Sequence, residues 1–482
     1  VWTSDVSKLY NHLVLKDTAL PYRLFLYDES LDADTKPNIY VLMVGWYGVT
    51  STGNQSGEAL EKLCKELKEE FPMAYPIIVE DRYVDDIFSG SNSKDEADEQ
   101  IVQVQSAIQH GNFPLKFVVK SGEKPSEIAS SDGETVKVLG YKWKTQNDTL
   151  SPGFSEPNFN KKRRGAKAPN PFVVNEPSDV SKLLSSKTVT RRIVISKLSE
   201  IYDPLGLWEP FKLQLKLEAQ GLNGIEWDAA LEPDVQEHWK SRFKDFLQIP
   251  FMTADRCIIP ENAANPDKIR LICISDAAVA AGGCAIYGTY LTSDGTYSCK
   301  LLAAKSRRMN GSIPRNELEG VRVMAEMALD VRHALGELVE EVLFFTDSTI
   351  AMSWCHNLNK KLRLYVLNRV SEIRRLITEC AGESAEFPLY HIEGKDNLAD
   401  LLTKPHEITP EDSGIGSTWQ NGLHWMRLSL DDMPITRYTD ISVNKEEQTQ
   451  IDAECFFEPS FTADSVHLTD GRLVDASHCQ GC

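Results

Sequence analysis

The chain has 482 residues, of which 41% are hydrophobic and 26% charged, and its formal net charge is −19. This length is too great for one hydrophobic core and predicts about three domains. No apolar run is long enough to span a membrane and no charged-then-apolar leader is present, so a membrane protein is not expected. The acidity argues against a simple nucleic-acid-binding protein, for which a basic surface is expected. The ten scattered cysteines fit the buried, reduced thiols of an intracellular protein better than a disulfide framework.

In chain order, residues 1–150 are predicted to alternate strands and helices. We expect strands at 23–27 and 40–44, a helix at 58–71, a hairpin with strands at 77–79 and 87–88, a helix around 101–108, and a strand pair that ends at 138–143. Residues 151–186 are rich in Pro, Asn, Ser and Lys, which predicts a linker. Residues 188–247 are predicted to be helical, interrupted by a Pro-Gly turn at 203–206.

The segment Tyr83-Val84-Asp85-Asp86 forms the tip of the predicted hairpin. Two adjacent carboxylates repel each other, and they become useful when a divalent cation lies between them and a phosphate. An acidic turn without a function is an equally good interpretation of this segment alone. Upstream, Asp5 offers a third carboxylate, and Tyr10 is an aromatic residue five positions later. The three acids together favour a metal-dependent site.

A second α/β unit is predicted from residue 266 to residue 410. The predicted strands and helices alternate in chain order: strands at 269–274, 285–291 and 298–304, a helix from Pro314, a strand at 342–345, helices at 350–354 and 364–378, a strand at 388–392, and a last element from Asn397. Beyond residue 410 the sequence is acidic and without pattern, which predicts a largely disordered tail.

Four carboxylates lie on these elements in chain order, namely Asp276, Glu317, Asp347 and Asp400. Each belongs to an element that can converge on one edge of a mixed sheet. Four converging acids would repel strongly unless cations neutralise them, so the set predicts two metal ions. One ion would activate a water for in-line attack on a phosphodiester, and the other would stabilise the leaving 3′ oxygen. A single aspartate at a strand end would more often be an ordinary cap, whereas the ordered set of four is specific.

Basic residues cluster near both predicted sites. A charge run is usually a solvated face, but these runs are also candidates for phosphate contacts. The candidates are Lys161, Lys162, Arg163, Arg164, Arg307 and Arg308. Cys479 and Cys482, next to His478, have metal-ligand spacing but no second ligand pair, so a zinc site stays an open alternative.

Several of these motifs resemble retroelement polymerases. The acidic hairpin with Asp5 resembles motifs C and A of a reverse transcriptase palm, the 138–143 turn resembles its primer grip, and the four later acids resemble the D-E-D-D set of ribonuclease H. Residues 195–210 resemble the connection of the BEL/Pao class of LTR retrotransposons. Further resemblances to that class lie at 302–307, 313–318, 346–348, 368–370, 397–400 and 419–425.

The resemblance implies a multidomain α+β and α/β protein. It would comprise a partial reverse transcriptase palm without fingers at 1–150, a linker and helical thumb or connection at 151–265, an RNase H-like mixed-sheet domain at 266–410, and an acidic tail at 411–482 leading toward an integrase region. On this resemblance Asp5, Asp85 and Asp86 would gather two Mg²⁺ ions for RNA-directed DNA synthesis, and Tyr10 would exclude a 2′-hydroxyl. The four later acids would gather two Mg²⁺ ions to cleave RNA in RNA–DNA hybrids.

The implied partners are an RNA–DNA hybrid, an RNA template with a DNA primer, dNTPs, and the fingers, protease and integrase segments of a polyprotein. A cytoplasmic virus-like particle or the nucleus would be the location. Because the chain begins almost at motif A, we expect a fragment that polymerises poorly alone. The loop at 47–55 keeps the glycine of many relatives but loses their Ser-Pro.

Three points stay open on the sequence. Glu319 competes with Glu317, which we prefer because it fits the Pro-Arg-x-Glu-Leu stretch of the family. His391 either assists product departure, as a histidine does in some ribonucleases H, or only packs. Finally, the chain is either an enzymatic fragment or a degenerate or co-opted copy that binds nucleic acid or protein without catalysis.

Overall fold

The computed structural model describes residues 1–28, 35–154, 182, 184–185, 188–357, 361–382, 387–403, 408–409 and 411–455. These residues form a mixed α/β structure with several sheets. Within these ranges no helix combines the length and the apolar character that a membrane crossing requires. The predicted phosphate contacts Lys161, Lys162, Arg163 and Arg164, most of the predicted linker, and the terminal cysteines lie outside the described residues.

The first unit is built on a four-stranded antiparallel sheet with the order β4-β5-β1-β6. Its elements and a separate two-stranded ribbon, β2–β3, follow in chain order: β1 (Trp2–Val6), β2 (Leu24–Tyr27), β3 (Asn38–Val41), α1 (Thr52–Glu66), α2 (Ala74–Glu80), β4 (Arg82–Tyr83), β5 (Asp86–Ser89), α3 (Lys94–Gln109) and β6 (Leu115–Lys120). The three helices pack on one face of the sheet, where Trp2, Leu60, Ile78 and Val104 are fully buried.

The predicted strand at 77–79 is wrong, because these residues end helix α2. Three consecutive apolar residues fit a buried helix as well as a strand, and periodicity cannot separate the two over so short a run. Ile77 and Ile78 reach the core from the helix, while Val79 is 42% exposed. The first strand of the hairpin is therefore only Arg82–Tyr83.

A second four-stranded sheet, with the order β10-β9-β8-β7, connects the first unit to a group of helices. Its strands and the helices are β7 (Thr135–Val138), β8 (Tyr141–Lys144), β9 (Thr149–Ser151), α4 (Arg191–Leu198), α5 (Glu209–Gln220), α6 (Pro233–Asp245) and β10 (Ala254–Asp255). Arg256, just after β10, forms a bidentate ion pair with Asp148, just before β9. Both nitrogen–oxygen distances are 2.6 Å, so the pair holds β10 beside β9.

The turn predicted at 203–206 is a junction between three parts of the chain. The buried Asp203 carboxylate accepts hydrogen bonds from the Tyr141 hydroxyl at 3.0 Å and from the backbone N–H groups of Leu207 and Trp208 at 2.9 and 3.0 Å. Gly206 has φ 72°, and a Cβ there would lie 1.9 Å from the Ala304 carbonyl oxygen. Only glycine therefore allows the turn to approach the next sheet so closely.

That next sheet has five strands in the order β13-β12-β11-β14-β15. Strands β11, β12 and β13 are antiparallel, whereas β14 and β15 run parallel to β11. The elements are β11 (Ile269–Ala277), β12 (Ala281–Leu291), β13 (Tyr297–Arg308), α7 (Ile313–Leu335), β14 (Val339–Thr346), α8 (Thr349–His356), α9 (Leu364–Ala381) and β15 (Leu389–His391). Helices α7, α8 and α9 cover one face, and α5 with later residues covers the other.

Residues 411–455 are packed, which differs from the prediction of a largely disordered tail at 411–482. It forms α10 (Thr418–Asn421), several short 3₁₀ turns and α11 (Lys445–Ala453). Trp419 and Trp425 are 1% and 5% exposed in the core on one face of the five-stranded sheet. Further on, Thr436 pairs with His391 through two backbone hydrogen bonds of 3.0 and 2.8 Å beside β15. Residues 456–482 lie outside the described part.

Candidate active sites

The first candidate site lies at one edge of the five-stranded sheet. Strands β11 and β14 are parallel neighbours, and Ser275 lies opposite Thr346. The next residues are Asp276, near the end of β11, and Asp347, just after β14. They therefore lie at the same edge of the sheet. The mutual repulsion of their carboxylates is one reason why the pKa of Asp347 is raised to about 6, after burial, which is the largest cause.

Glu317 reaches the same edge from the first turns of helix α7. Its carboxylate accepts a hydrogen bond of 2.6 Å from the Ser348 hydroxyl, which in turn accepts one from the backbone N–H of Ala351 at the start of α8. Burial raises the pKa of Glu317 to about 7, the Ser348 hydrogen bond opposes the shift, and repulsion from Asp347 and Asp276 adds to it. Three of the predicted acids thus share one electrostatic environment.

Asp400 lies in the 3₁₀ helix Leu398–Leu402, and its charge also contributes to the raised pKa of Asp347. Two polar neighbours hold the acids at this edge of the sheet. Asn397 donates to the Ser275 carbonyl at 2.9 Å and hydrogen-bonds the Asp347 carboxylate, and the Thr403 hydroxyl donates to Asp276 at 2.5 Å. The sequence prediction missed both residues, because only the packing of the last element against β11 brings them to the site.

Glu319, the competing residue on α7, has different surroundings. It forms ion pairs with Arg307 at 3.2 Å, Arg322 at 2.8 Å and Arg369 at 3.1 Å. Its pKa is lowered, since the hydrogen bond from Arg322 and the charges of the three arginines together outweigh burial. Glu317, and not Glu319, is therefore the residue of α7 that faces Asp276 and Asp347.

His391 lies at the end of β15, next to Thr346 of β14. Its Nε2 donates a hydrogen bond of 3.1 Å to the backbone carbonyl of Asp347, and burial lowers the pKa of the imidazole. The histidine therefore supports the loop that carries Asp347. Its role in product departure stays a prediction.

The four acids supply carboxylate oxygens, which are the ligands that Mg²⁺ prefers in proteins. In the described part of the chain, no three acidic, imidazole or thiol side chains stand as a ready-made metal-binding group. However, burial together with repulsion between the carboxylates disfavours their ionised form, and a bound divalent cation would remove that repulsion. The donor set therefore fits divalent cations.

The second candidate site is the acidic hairpin of the first unit. Asp5 of β1 lies directly opposite Asp86 of β5, and the backbone N–H of Val6 donates to the Asp85 carbonyl at 2.8 Å. Burial raises the pKa of Asp86 to about 6, with repulsion from Asp85 and Asp5 as further causes. The pKa of Asp5 is also raised by burial, against the opposing charge of Lys116 on β6. The sequence prediction did not single out Lys116.

Two features shape this hairpin site. Val84 has φ 57°, a left-handed conformation that is costly for a β-branched residue and that turns the chain between Tyr83 and Asp86. The ring of Tyr10, the predicted sugar-contacting residue, lies 4.9 Å from that of Tyr47 at the entrance to α1. The β2–β3 ribbon lies between these two aromatic residues in chain order.

Of the predicted phosphate contacts, Arg307 and Arg308 are described and exposed at the end of β13. Arg307 is engaged by Glu319. Their use for nucleic acid stays a prediction.

Residues 190–348 match the family described as the Pao retrotransposon-like RNaseH-like domain. The resemblance to BEL/Pao retrotransposon polyproteins is confirmed by this match. The matched residues include α4 to α6 and the first four strands of the five-stranded sheet, with Asp276, Glu317 and Asp347. Asp400 lies beyond them. Four of the five strands of the RNase H-like sheet and the preceding helices therefore fall within one family match.

Two solved foamy viral structures are similar in shape. The protease-reverse transcriptase dRH in complex with double-stranded DNA has 12% identity and a TM-score of 0.45, and the match covers 82% of this chain and 56% of that chain. The protease-reverse transcriptase with double-stranded DNA has 11% identity and a TM-score of 0.41, and the match covers 82% and 67%. No curated protein is significantly similar in sequence. This chain thus spans only part of the foamy viral proteins.

Proposed function

We propose that the BEL/Pao-type chain cleaves the RNA strand of RNA–DNA hybrids at the edge of its RNase H-like sheet. The observation that carries the proposal is the mutual electrostatic coupling of Asp276, Glu317 and Asp347, which arrive from two parallel strands and a helix. Such a cluster has no structural benefit without cations, because isolated carboxylates repel each other.

Asp276, Glu317, Asp347 and Asp400 would hold Mg²⁺, and the bound ions would activate a water and stabilise the leaving oxygen. The protein's part is to orient these acids. Ser348 holds Glu317, Thr403 holds Asp276, and Asn397 holds Asp347, each by a hydrogen bond from its side chain. A hybrid would be recognised by its shape and 2′-hydroxyls rather than by base sequence.

The test uses the full chain, a labelled RNA–DNA hybrid and Mg²⁺. Cleavage is expected from the unaltered protein, and Asp347→Asn should abolish it. Asp330→Asn, at the exposed far end of α7, is the matched control and should cleave normally. If the folded protein and both variants leave the RNA intact, the alternative of a non-catalytic, co-opted copy replaces the proposal.

We further propose that the acidic hairpin is a polymerase palm site for nucleotidyl transfer with Asp5, Asp85 and Asp86 as the acids. The antiparallel register of Asp5 with Asp86 supports this second activity. Primer extension on an RNA template, with dNTPs and Mg²⁺, is expected to be weak. Asp86→Asn should remove it and leave RNA cleavage unchanged, whereas Asp347→Asn should do the reverse. Extension that survives in Asp86→Asn would exclude a role for this hairpin.

A further inference from the structure

Helix α11 lies against the RNase H-like carboxylate site. Near its start, the Glu447 carboxylate accepts a hydrogen bond of 3.0 Å from the Thr349 hydroxyl at the beginning of α8. Just after its end, the Glu454 carboxylate pairs with Arg315 at 2.7 Å, and the Glu454 carbonyl accepts the backbone N–H of Arg363 at 2.7 Å. Between these contacts Ile451 is 2% exposed and packs in the core beneath α8.

The two polar contacts flank the site. Thr349 follows Asp347 by two residues, and Arg315 precedes Glu317 by two residues. The charge of Glu447 is close enough to contribute to the raised pKa of Glu317. Helix α11 therefore spans the side of the site on which Glu317 and Asp347 lie.

Glu447 is not free to act as a further metal ligand. One of its carboxylate oxygens accepts the Thr349 hydroxyl, and the other accepts the backbone N–H of Asn444 at 2.8 Å. That second bond belongs to a capping box at the start of α11, in which the Asn444 side chain also accepts the backbone N–H of Glu447. The carboxylate is thus used to hold α11 against α8.

The two groups that bind these glutamates, the Thr349 hydroxyl and the Arg315 guanidinium, also suit phosphate. A hydroxyl at a helix N-terminus and an arginine are both common partners of phosphate oxygens. Here they are taken by the two glutamates, whose carboxylates carry the same sign of charge as a nucleic-acid backbone. Arg315 is also stacked on Tyr365, with its guanidinium 4.8 Å from the ring centroid, so it is already held in position.

We propose that residues 444–455 are an autoinhibitory strap in which Glu447 and Glu454 occupy the places of nucleic-acid phosphates beside the RNase H-like site. This inference depends on the proposed nuclease function for its biological meaning, although the occlusion of nucleic acid can be measured separately. The Thr349 hydroxyl and the Arg315 guanidinium nitrogen that bind the two glutamates become available to hybrid phosphates only after the strap leaves.

Two features of the docked strap favour its release. It is anchored by a few polar contacts and by two buried side chains, Ile451 and Cys455. One oxygen of Glu454 is buried without a hydrogen-bond partner in the described part of the chain, and burial of an unpaired polar atom is unfavourable. Release of this segment therefore regains hydration that the docked state lacks.

The test compares the full chain with Ile451→Asp, which places a charge in the buried anchor, and with Gln450→Asp on the exposed face of α11 as matched control. Hydrogen exchange at 445–455 reports whether α11 has undocked. Affinity for a short fluorescein-labelled RNA–DNA hybrid is measured by anisotropy with Ca²⁺, and cleavage is measured with Mg²⁺. Ile451→Asp should bind and cleave about tenfold better, and the control should match the unaltered chain.

A second variant, Glu447→Gln with Glu454→Gln, removes the two charges without a change in the buried anchor and should act in the same direction. A synthetic peptide of residues 440–458 should reverse the gain of Ile451→Asp. If α11 undocks and hybrid affinity stays the same, the autoinhibitory proposal is wrong, whether or not RNA is cleaved. If affinity rises but no form cleaves, the strap stands and the proposed nuclease function fails.

Discussion

Glu317 and Glu319 are two residues apart on α7, and their opposite surroundings make a controlled comparison. Glu317→Gln removes a carboxylate from the acidic edge, so RNA cleavage should fall by about a hundredfold or more. Glu319→Gln removes the partner of Arg307, Arg322 and Arg369 instead and should retain most of the cleavage rate. Initial rates on the same labelled hybrid distinguish the two. A larger loss in Glu319→Gln would reverse the assignment.

The raised pKa of Glu317, to about 7, predicts a pH dependence of stability in metal-free protein. An acid whose folded pKa lies above its unfolded value of 4.5 binds more protons when folded, so stability falls as pH rises through the interval between the two values. The loss is at most about 3.5 kcal/mol, because one pKa unit corresponds to about 1.4 kcal/mol. Asp347, with its pKa raised from 3.8 to about 6, adds to the slope at lower pH.

Thermal unfolding in EDTA should therefore occur at lower temperature at pH 8 than at pH 5. Glu317→Gln should be more stable than the unaltered chain at pH 8, and millimolar Mg²⁺ should remove most of the difference. Glu319→Gln is the control and should be destabilised at both pH values, since it breaks ion pairs. A Glu317→Gln protein less stable than the unaltered chain at pH 8 would show that the acids do not repel as described.

At the scale of elements, the turn around Asp203 determines how the second sheet, helix α5 and the five-stranded sheet meet. Asp203→Ala leaves the Tyr141 hydroxyl, two backbone N–H groups and Lys212 without their buried carboxylate. We expect a loss of about 3–5 kcal/mol, because three buried neutral donors lose their acceptor at about 1–3 kcal/mol each, whereas Lys212 keeps its ion pair with Glu209 at 2.9 Å. Denaturant unfolding followed by tryptophan fluorescence measures it.

Asp228→Ala is the matched control for this prediction. It removes an aspartate whose ion pair with Arg192, at 2.8 Å, is exposed on both sides, so the expected loss is below about 1 kcal/mol. Equal losses in the two variants would mean that the junction contributes nothing beyond a surface ion pair.

The elements also show how far the sequence could predict the structure. The helix beginning at Pro314 and the strands that end at Asp276 and Asp347 were predictable, because their apolar periods are long and their turn signals clear. Residues 77–79 were not, since a short apolar run has no period. The roles of Asn397 and Thr403 at the site were not predictable either, because their partners Ser275 and Asp276 lie more than 120 residues away.

At the scale of the whole molecule, residues 411–455 of the tail are part of the folded structure. Trp419 is 1% exposed, and its indole N–H donates to the Leu207 carbonyl at 2.8 Å. Trp419→Ala should cost about 3–5 kcal/mol and make residues 411–455 sensitive to protease. Trp227→Ala, at a tryptophan that is 44% exposed, should change little. Protease resistance that survives in Trp419→Ala would show that the tail is held elsewhere.

The sequence could not reveal this packing because the tail has no period of its own. Its buried residues, which include Trp419, Trp425, Met433 and Ile451, are unevenly spaced, and each fits a surface made by distant parts of the chain. A composition rule therefore predicted disorder, whereas tertiary contacts decide the outcome.

The backbone pairing of Thr436 with His391 has a consequence for solubility. Strand β15 is the last in its sheet, and a short stretch of the tail satisfies one position along its open side. A protein trimmed before Thr436 would present that edge to other molecules, and unpaired strand edges promote association between chains. Its first visible defect would then be concentration-dependent aggregation of folded protein, even where the carboxylate site stays in order.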